Sequence, residues 1–480
     1  MSGPDHTPEK AAAVSHPGED AAPGPLPPYA IAIIGAGFSG TMAAIRLRRA
    51  LPAHYVIYLI ERSGHFARGL AYGESSTPHL LNVRASNMSA FPEDPGHFER
   101  WLETKAEKFP GDIHQTEAGA FATRRLYGRY LRTLLLAEMR ASGGRVRLIT
   151  DEVVGLDQQP EGWRLFCKSG HDIAAAGIVL ASGNLPSSRP CDQVVFHDPW
   201  RADAIAGLRP DEPVLIVGTG LTMVDLVLGL HGQGFRGPIF ALSRRGLLPQ
   251  RHESIGRPWP TPVFTAEERH SALALLRRLR LEASNAAAHG VRWHAVIDSM
   301  RPITAALWRG LPRAERQRFL RHARPYWDVH RHRMAPAAAE VFDKLTKSGA
   351  LRLKRGRVRN IETANGQATV VLENRATQQP ETLAVQRVIF ATGLAGAPAR
   401  DGLVARLLNT GLARTDPQGL GLEVTEALEI VNAQGALAWR MWALGPIVRG
   451  VFWECLAVPD IRVQAQQIGV EVAGNLYAGP

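Results

Sequence analysis

The stretch Ala30-Ile-Ala-Ile-Ile-Gly35-Ala-Gly37-Phe-Ser-Gly40 decides the fold. Five apolar residues run straight into three glycines spaced as G-x-G-x-x-G, and a helical pattern follows from Thr41 to Arg49. A second apolar run, Val56 to Ile60, ends at Glu61. Each part has a physical task in a dinucleotide-binding βαβ unit. Gly35 permits the tight turn, Gly37 lets the backbone approach a pyrophosphate, and Gly40 lets helix and strand pack closely. The helix start, around Ser39, offers free N–H groups and the positive end of the dipole. Glu61 falls about twenty residues on, where an acid binds ribose hydroxyls. Three glycines alone are a weak signal; strand, helix, second strand and acid in order are a strong one.

The same grammar returns once. Pro213-Val-Leu-Ile-Val leads into Gly218-Thr-Gly220-Leu-Thr222-Met223-Val-Asp225, with Met223 at the third glycine. The next strand, Pro238 to Leu242, ends in Ser243-Arg244-Arg245, with no acid. Arginines there suit the 2′-phosphate of NADPH, although two solvated arginines on a loop would read the same way. FAD on the first loop and NADH or NADPH on the second is the expected division, with hydride passing to the flavin. Ala181-Ser-Gly183 and Ala391-Thr-Gly393 each end an apolar strand. They mark two chain crossings beside the dinucleotides.

These units imply an α/β fold of two Rossmann-like domains. The expected division is a tail at 1–28, the first part of an FAD domain at 29–205, and an NAD(P) domain at 206–396. A helical insertion is expected at about 265–347 within that domain, and 397–480 completes the FAD domain. The opening residues are rich in Pro, Ala and Gly and read as a disordered tail.

Composition narrows the class. The chain has 480 residues, 45% hydrophobic and 21% charged, enough for two or three ordinary globular cores. No apolar run is long enough to span a bilayer and no signal core opens the chain, so a cytoplasmic protein with no membrane contact is expected. Cys167, Cys191 and Cys455 form no C-x-x-C pair, which argues against a dithiol centre or a zinc site. The net charge is +11, but all except seven of the 56 basic residues are arginine and most are scattered. That pattern argues against nucleic acid and leaves room for a small anionic substrate. The residues say nothing of oligomeric state.

Further motifs carry a resemblance across Ile31 to about Gln467. They are Gly69-Leu-Ala-Tyr-Gly73 with His79-Leu-Leu-Asn-Val83, Met88-Ser-Ala-Phe-Pro-Glu-Asp-Pro95, and Arg124-Arg-Leu-Tyr-Gly-Arg-Tyr-Leu131. Ser243-Arg-Arg-Gly-Leu-Leu-Pro249, Tyr326-Trp-Asp-Val-His-Arg-His-Arg333, Trp453-Glu454 and Val458-Pro-Asp-Ile-Arg462 complete the set. With the two glycine loops, these resemble the two-dinucleotide flavoproteins. The branch in question groups FAD-dependent urate hydroxylases with flavin-dependent aspartate N-monooxygenases. The resemblance implies FAD, NAD(P)H and dioxygen as co-reactants, with Asn82 and Met88-Ser89 beside the flavin ring; loop packing explains these residues equally well. Two departures stand out. The Phe-Gly-His signature between the domains is incomplete at Val195-Phe-His197-Asp-Pro-Trp200, and Gly445-Pro446 stands where many flavoproteins carry Gly-Asp.

Two site expectations remain. Pro459 belongs in the first turn of the last helix, so that its N-terminus faces the flavin, with Asp460 either beside the flavin or capping the helix. Asp328, His330, Arg331 and Arg333 lie in the densest cationic and aromatic run, where Arg and His donors can hold a planar anion and Trp327 can stack on it. A solvated helix face is the plain alternative, and helical spacing lets at most two or three of them meet one ligand. No triad or metal cluster is visible, so no catalytic residue is assigned. The leading expectation is an NAD(P)H-dependent monooxygenase taking urate to 5-hydroxyisourate, because an electron-rich anion needs little beyond positioning donors. N-hydroxylation of an amino acid or amine is the alternative, and it calls for a carboxylate-binding arginine near the flavin. A flavin redox sensor or uncoupled oxidase is the third.

Overall fold

In the computed structural model, the described residues are 29–73, 79–183, 191–201, 203–254, 256–375, 377, 379–393 and 402–477. The expected tail at 1–28 lies outside them. Strand Ala30–Ile34 is buried almost throughout and sits centrally in a six-stranded sheet. Parallel neighbours flank it, Val56–Ile60 on one side and Gly177–Leu180 on the other. Val146–Ile149 extends one edge in parallel. On the other edge the late strand Leu437–Ala443 runs parallel to Gly177–Leu180, and Glu429–Val431 pairs antiparallel with it. The end of the chain therefore completes the sheet that its beginning starts. Residues such as Ile31, Ile33, Ile178 and Val179 have no exposed surface, as parallel strands covered on both faces require.

A second sheet of seven strands has Val214–Val217 near its centre. Ile239–Ser243 and Arg387–Phe390 flank it in parallel. Leu351 joins in parallel beside Ile239, and two antiparallel strands, Gln367–Asn374 and Pro380–Val385, follow. Between Ile239–Ser243 and Leu351–Ala364, the segment from Ala266 to Lys347 forms successive helices joined by short non-helical links. One piece, Phe319–Ala323, is a π-helical turn leading into Arg324–Arg331.

The last helix, Val458–Tyr477, begins one residue before Pro459. It lies along the first helix, Phe38–Ala50, where a Cβ on Gly469 would come within 3.2 Å of Arg46 Cβ. Ala465, Ile468 and Val472 share a core with Met42 and Ile45. Among the described residues, no helix is long and apolar enough to cross a membrane.

Candidate functional site

The two glycine loops are built to one plan. Gly35 N–H donates to Ile60 O at 2.9 Å and Gly218 N–H to Leu242 O at 2.7 Å. Gly35 has φ +101° and Gly218 has φ +116°. A Cβ on either would collide with the carbonyl of a crossing strand, Ala181 O at 2.5 Å and Ala391 O at 2.2 Å. Ala181 and Ala391 each donate an N–H back to the glycine strand, to Ile34 O and Val217 O. Gly183 and Gly393 follow at positive φ with open space before them. Both helices start directly after the second glycine, Gly37 or Gly220, without a side-chain cap or a first-turn acid. Their leading N–H groups are thus free for an anion.

The plans diverge in detail. A Cβ on Gly40 would stand 1.8 Å from Gly35 O, so the first helix lies hard against its loop. Met223 occupies that place in the second loop and is fully buried, so that helix leaves room for a side chain. Glu61 braces the first loop, accepting from Ala36 N–H at 3.0 Å and from Ser63 at 3.1 and 2.9 Å, and its carboxylate retains lone pairs for ribose hydroxyls. In the second unit Thr219, which the sequence reading passed over, does the bracing. Its hydroxyl lies 2.9 Å from Ser243 Oγ and 2.6 Å from Leu247 O. Thr222 lies in the first turn of that helix. Beyond the strand, Arg244 is exposed, with Arg245, Arg357, Arg324 and Arg375 close enough to lower its pKa after partial desolvation has done so first. Arg245 donates to Arg321 O at 3.1 Å and lies over the Tyr326 ring. This crowd of guanidiniums is the environment a 2′-phosphate fits.

Around the first loop, Gly445 at φ +81° touches Ser39: a Cβ there would meet Ser39 Oγ at 2.4 Å. Gly445 N–H donates to Gln464 on the last helix at 2.8 Å. Gly445-Pro446 therefore does stand at the first loop. Met88 is buried, and Ser89 O accepts from Arg462 of the last helix at 2.8 Å. Asn82 O lies 2.9 Å from His252 Nε2, which brings the loop ahead of the helical insertion onto this segment. The residues fit an FAD: glycines where backbones must meet, an uncapped helix start, and an acid at the second strand.

The cationic run divides. Asp328 pairs with Arg324 of its own helix at 3.2 Å, and half-exposed His330 turns its Nδ1 to Tyr326 O at 2.7 Å. Neither joins the buried arginines, which leaves Arg331 and Arg333 as the two of the four that lie in the interior. Trp327 donates to Glu454 at 2.9 Å and is an anchor, not a stacking platform. Arg331 and Arg333 are buried. Arg331 lies 3.2 Å from Glu454, whose carboxylate stays ionised below the usual range despite burial because Arg331 and His332 face it. Trp453 centres a tight turn (φ +57°, ψ −64°) closed by Glu454 N–H to Phe452 O at 2.7 Å, which aims Glu454 inward. Asp460 takes Arg301 Nη1 on both oxygens at 2.7 Å. It ties the insertion to the last helix and is not a free flavin contact.

Arg333 pairs with Asp298. Arg84 gives one N–H to Glu253 O at 2.7 Å and stands 3.9 Å from the same Asp298. His252 and His294 adjoin; burial first, then the charge of Arg333, pushes His252 down to about 3 and lowers His294. Sequence reasoning missed Arg84, His252, His294 and Asp298. A cleft of about 670 Å³ opens beside them, lined by Glu253, Ala287, Arg292, Trp293 and His294 among others.

Residues 32–185 match the model of a family described as FAD-NAD(P)-binding, about a third of the chain. No curated protein matches the chain in sequence. Among solved structures, the chain is similar to L-lysine 6-monooxygenase from Pseudomonas syringae, with 17% identity, 93% and 99% of the two chains covered and TM-score 0.63. It is similar to the FAD-bound cadaverine monooxygenase of desferrioxamine biosynthesis from Erwinia amylovora, with 12%, 94% and 95%, and 0.61. It is also similar to the ornithine N-hydroxylase of Kutzneria sp. 744 with reduced FAD, NADP+ and L-ornithine, with 14%, 92% and 98%, and 0.59. At these identities the likeness establishes the fold: mixed α/β with two dinucleotide-binding Rossmann-type sheets.

Proposed function

We propose that this chain is an FAD-dependent NADPH monooxygenase, an oxidoreductase that N-hydroxylates a small amino acid or amine with dioxygen. One observation carries the reading. Two glycine loops of the same construction stand at the ends of parallel strands in two sheets, one followed by an acid and the other by an arginine cluster. The likeness of the whole chain to lysine, cadaverine and ornithine hydroxylases favours amine nitrogen as the oxygen acceptor over urate carbon.

The chain's own residues would divide the work. The uncapped helix start at Phe38–Gly40 binds the FAD pyrophosphate, and Glu61 the adenosine ribose. Gly445, held by Gln464, lets the closing strand pass against Ser39. The helix start after Gly220, with Thr222, takes the second pyrophosphate, and Arg244 and Arg245 the 2′-phosphate. Bound flavin would supply hydride acceptance and oxygen activation. The loop ahead of the insertion, through His252, together with Arg84 of the first unit, would wall the reacting face beside Asn82 and Met88. Urate remains a second reading, favoured by the buried guanidiniums near Asn82, which a planar monoanion also suits.

The test is NADPH and NADH consumption by the FAD-loaded protein with L-lysine, L-ornithine, L-aspartate, cadaverine or urate, with products read by mass. Faster NADPH consumption with an amine, and a product heavier by one oxygen atom, is the expected result. Consumption of urate alone would move the reading to carbon hydroxylation. Cofactor oxidation that no substrate stimulates would leave an uncoupled oxidase or sensor.

A further inference from the structure

Resting on the amine-monooxygenase reading, we propose that Arg333 and Arg84 form a clamp for the carboxylate of the substrate, so that an amino acid and not a simple amine is taken. Arg333 is 2% exposed and Arg84 8% exposed. Nε and Nη1 of Arg333 and Nε of Arg84 are buried and find no acceptor among the described residues. Two guanidiniums share one carboxylate, Asp298, which is itself 28% exposed. The cluster therefore carries one positive charge more than it neutralises. An under-neutralised buried cation is costly, and a bound carboxylate offsets that cost with charge-assisted hydrogen bonds in the planar fork geometry of arginine.

The neighbouring histidines do not change the count. His252 Nε2 faces Asn82 O at 2.9 Å and His294 Nε2 faces Arg251 O at 3.3 Å. A carbonyl only accepts, so each ring carries its proton on Nε2 and, being neutral, presents Nδ1 as an unpaired acceptor. Arginine donors thus stand with imidazole acceptors, the complement of a carboxylate attached to a group that bears N–H. The cluster also meets the open cleft: His294 lines it, Glu253 lines it and accepts from Arg84, and Trp293 stacks on His294 at 3.7 Å with Arg333 over its ring at 5.9 Å. The cleft's lining reaches the cluster through Glu253 and His294, and on this proposal the carboxylate sits on the guanidiniums with the remainder of the ligand toward Asn82.

The experiment is equilibrium binding to the oxidised, FAD-loaded full chain, read by calorimetry and by the flavin absorbance. Two probe pairs differ only in the α-carboxylate: L-lysine against cadaverine, and L-ornithine against putrescine. L-Aspartate and urate complete the panel. At least one carboxylate probe should bind, and the member of its pair with a carboxylate should bind about 100-fold more tightly. Arg333→Gln and Arg84→Gln should each erase that preference while FAD content stays. Asp298→Asn, which removes the competing anion, should tighten carboxylate binding, whereas a merely structural role for the cluster predicts weakening. If Arg333→Gln fails to hold FAD, Arg84→Gln and Asp298→Asn decide. Equal binding within the pairs, a preference that survives Arg84→Gln, no binding of any carboxylate, or urate as the anion that these variants release would each overturn the proposal. The two claims fail separately. Carboxylate binding without coupled oxygenation leaves the clamp and removes the reaction. Oxygenation of L-lysine that ignores Arg84→Gln leaves the reaction and removes the clamp.

Discussion

The two glycine loops share their backbone and differ in almost everything attached to it. Each turns at a glycine with positive φ beneath the carbonyl of a crossing strand, and each opens an uncapped helix. Yet the first packs its helix against the loop through Gly40 and ends in Glu61, while the second tolerates Met223 and ends among arginines. In the proposed function, the shared backbone geometry serves the pyrophosphate and the strand-end side chains distinguish the two dinucleotides.

The largest effects should come from adding a methyl group to the shared turn. Gly35→Ala and Gly218→Ala force an L side chain into a left-handed conformation and against a carbonyl, at about 3 kcal/mol each. They should differ in consequence. Gly35→Ala loses FAD on desalting, whereas Gly218→Ala keeps FAD and is not reduced by NADPH. If both lose FAD, the division of labour between the loops is wrong.

The joint between the units comes next. Arg124, at the start of helix Arg124–Ala141, donates to buried Asp225 of the second dinucleotide helix at 2.8 Å. Burial pushes the Asp225 carboxyl up, with Arg124 and His79 opposing. Arg124→Met strands that carboxylate and should cost about 3 kcal/mol in unfolding free energy. Arg124→Met combined with Asp225→Asn should recover part of it in the same melt. Equal losses would mean that the pair does not couple the units.

A pH series probes the seam where His252, ahead of the insertion, meets Asn82 of the first unit. Burial first, then Arg333, depresses His252 to about 3 from its ordinary 6.5. A depressed folded pKa means that the stabilising neutral form is fully present above about 6.5 and is lost as pH falls toward 3. Stability should decline by up to about 1.4 kcal/mol per pH unit across that window. His252→Gln should flatten the slope; an unchanged slope would place the proton uptake elsewhere.

The smallest effect should lie at the second strand end. Arg244→Ser and Arg245→Ser should each weaken NADPH about tenfold and leave NADH unchanged. Equal weakening of both cofactors would assign those arginines to the pyrophosphate or to the fold.

What the sequence revealed and what it hid follow from range. Both glycine units were legible because strand, turn, helix and second strand, with an acid in the first unit only, lie within about thirty residues of one another. The helical insertion was legible from its composition. The arginine and histidine cluster was not: Arg84, His252, His294 and Asp298 come from four separate segments, and no periodicity links residues that only tertiary packing assembles. Conversely, Asp328 and His330 sit in the densest motif, but consecutive helical positions point apart. Local partners Arg324 and Tyr326 O take them up. The sequence leaves Asp460 open between the flavin and a helix cap because its place at a helix start is visible and its partner Arg301, 159 residues earlier, is not.

The most direct test of the account is anaerobic mixing of FAD-loaded protein with NADPH, following the flavin absorbance, for the natural chain and for Gly218→Ala. The account predicts that NADPH bleaches the flavin of the natural chain. It predicts that Gly218→Ala, with its FAD intact, stays oxidised at the same cofactor concentration. Flavin reduction at equal rates in both would contradict the assignment of the nicotinamide to the second loop, and with it the two-loop reading of the function.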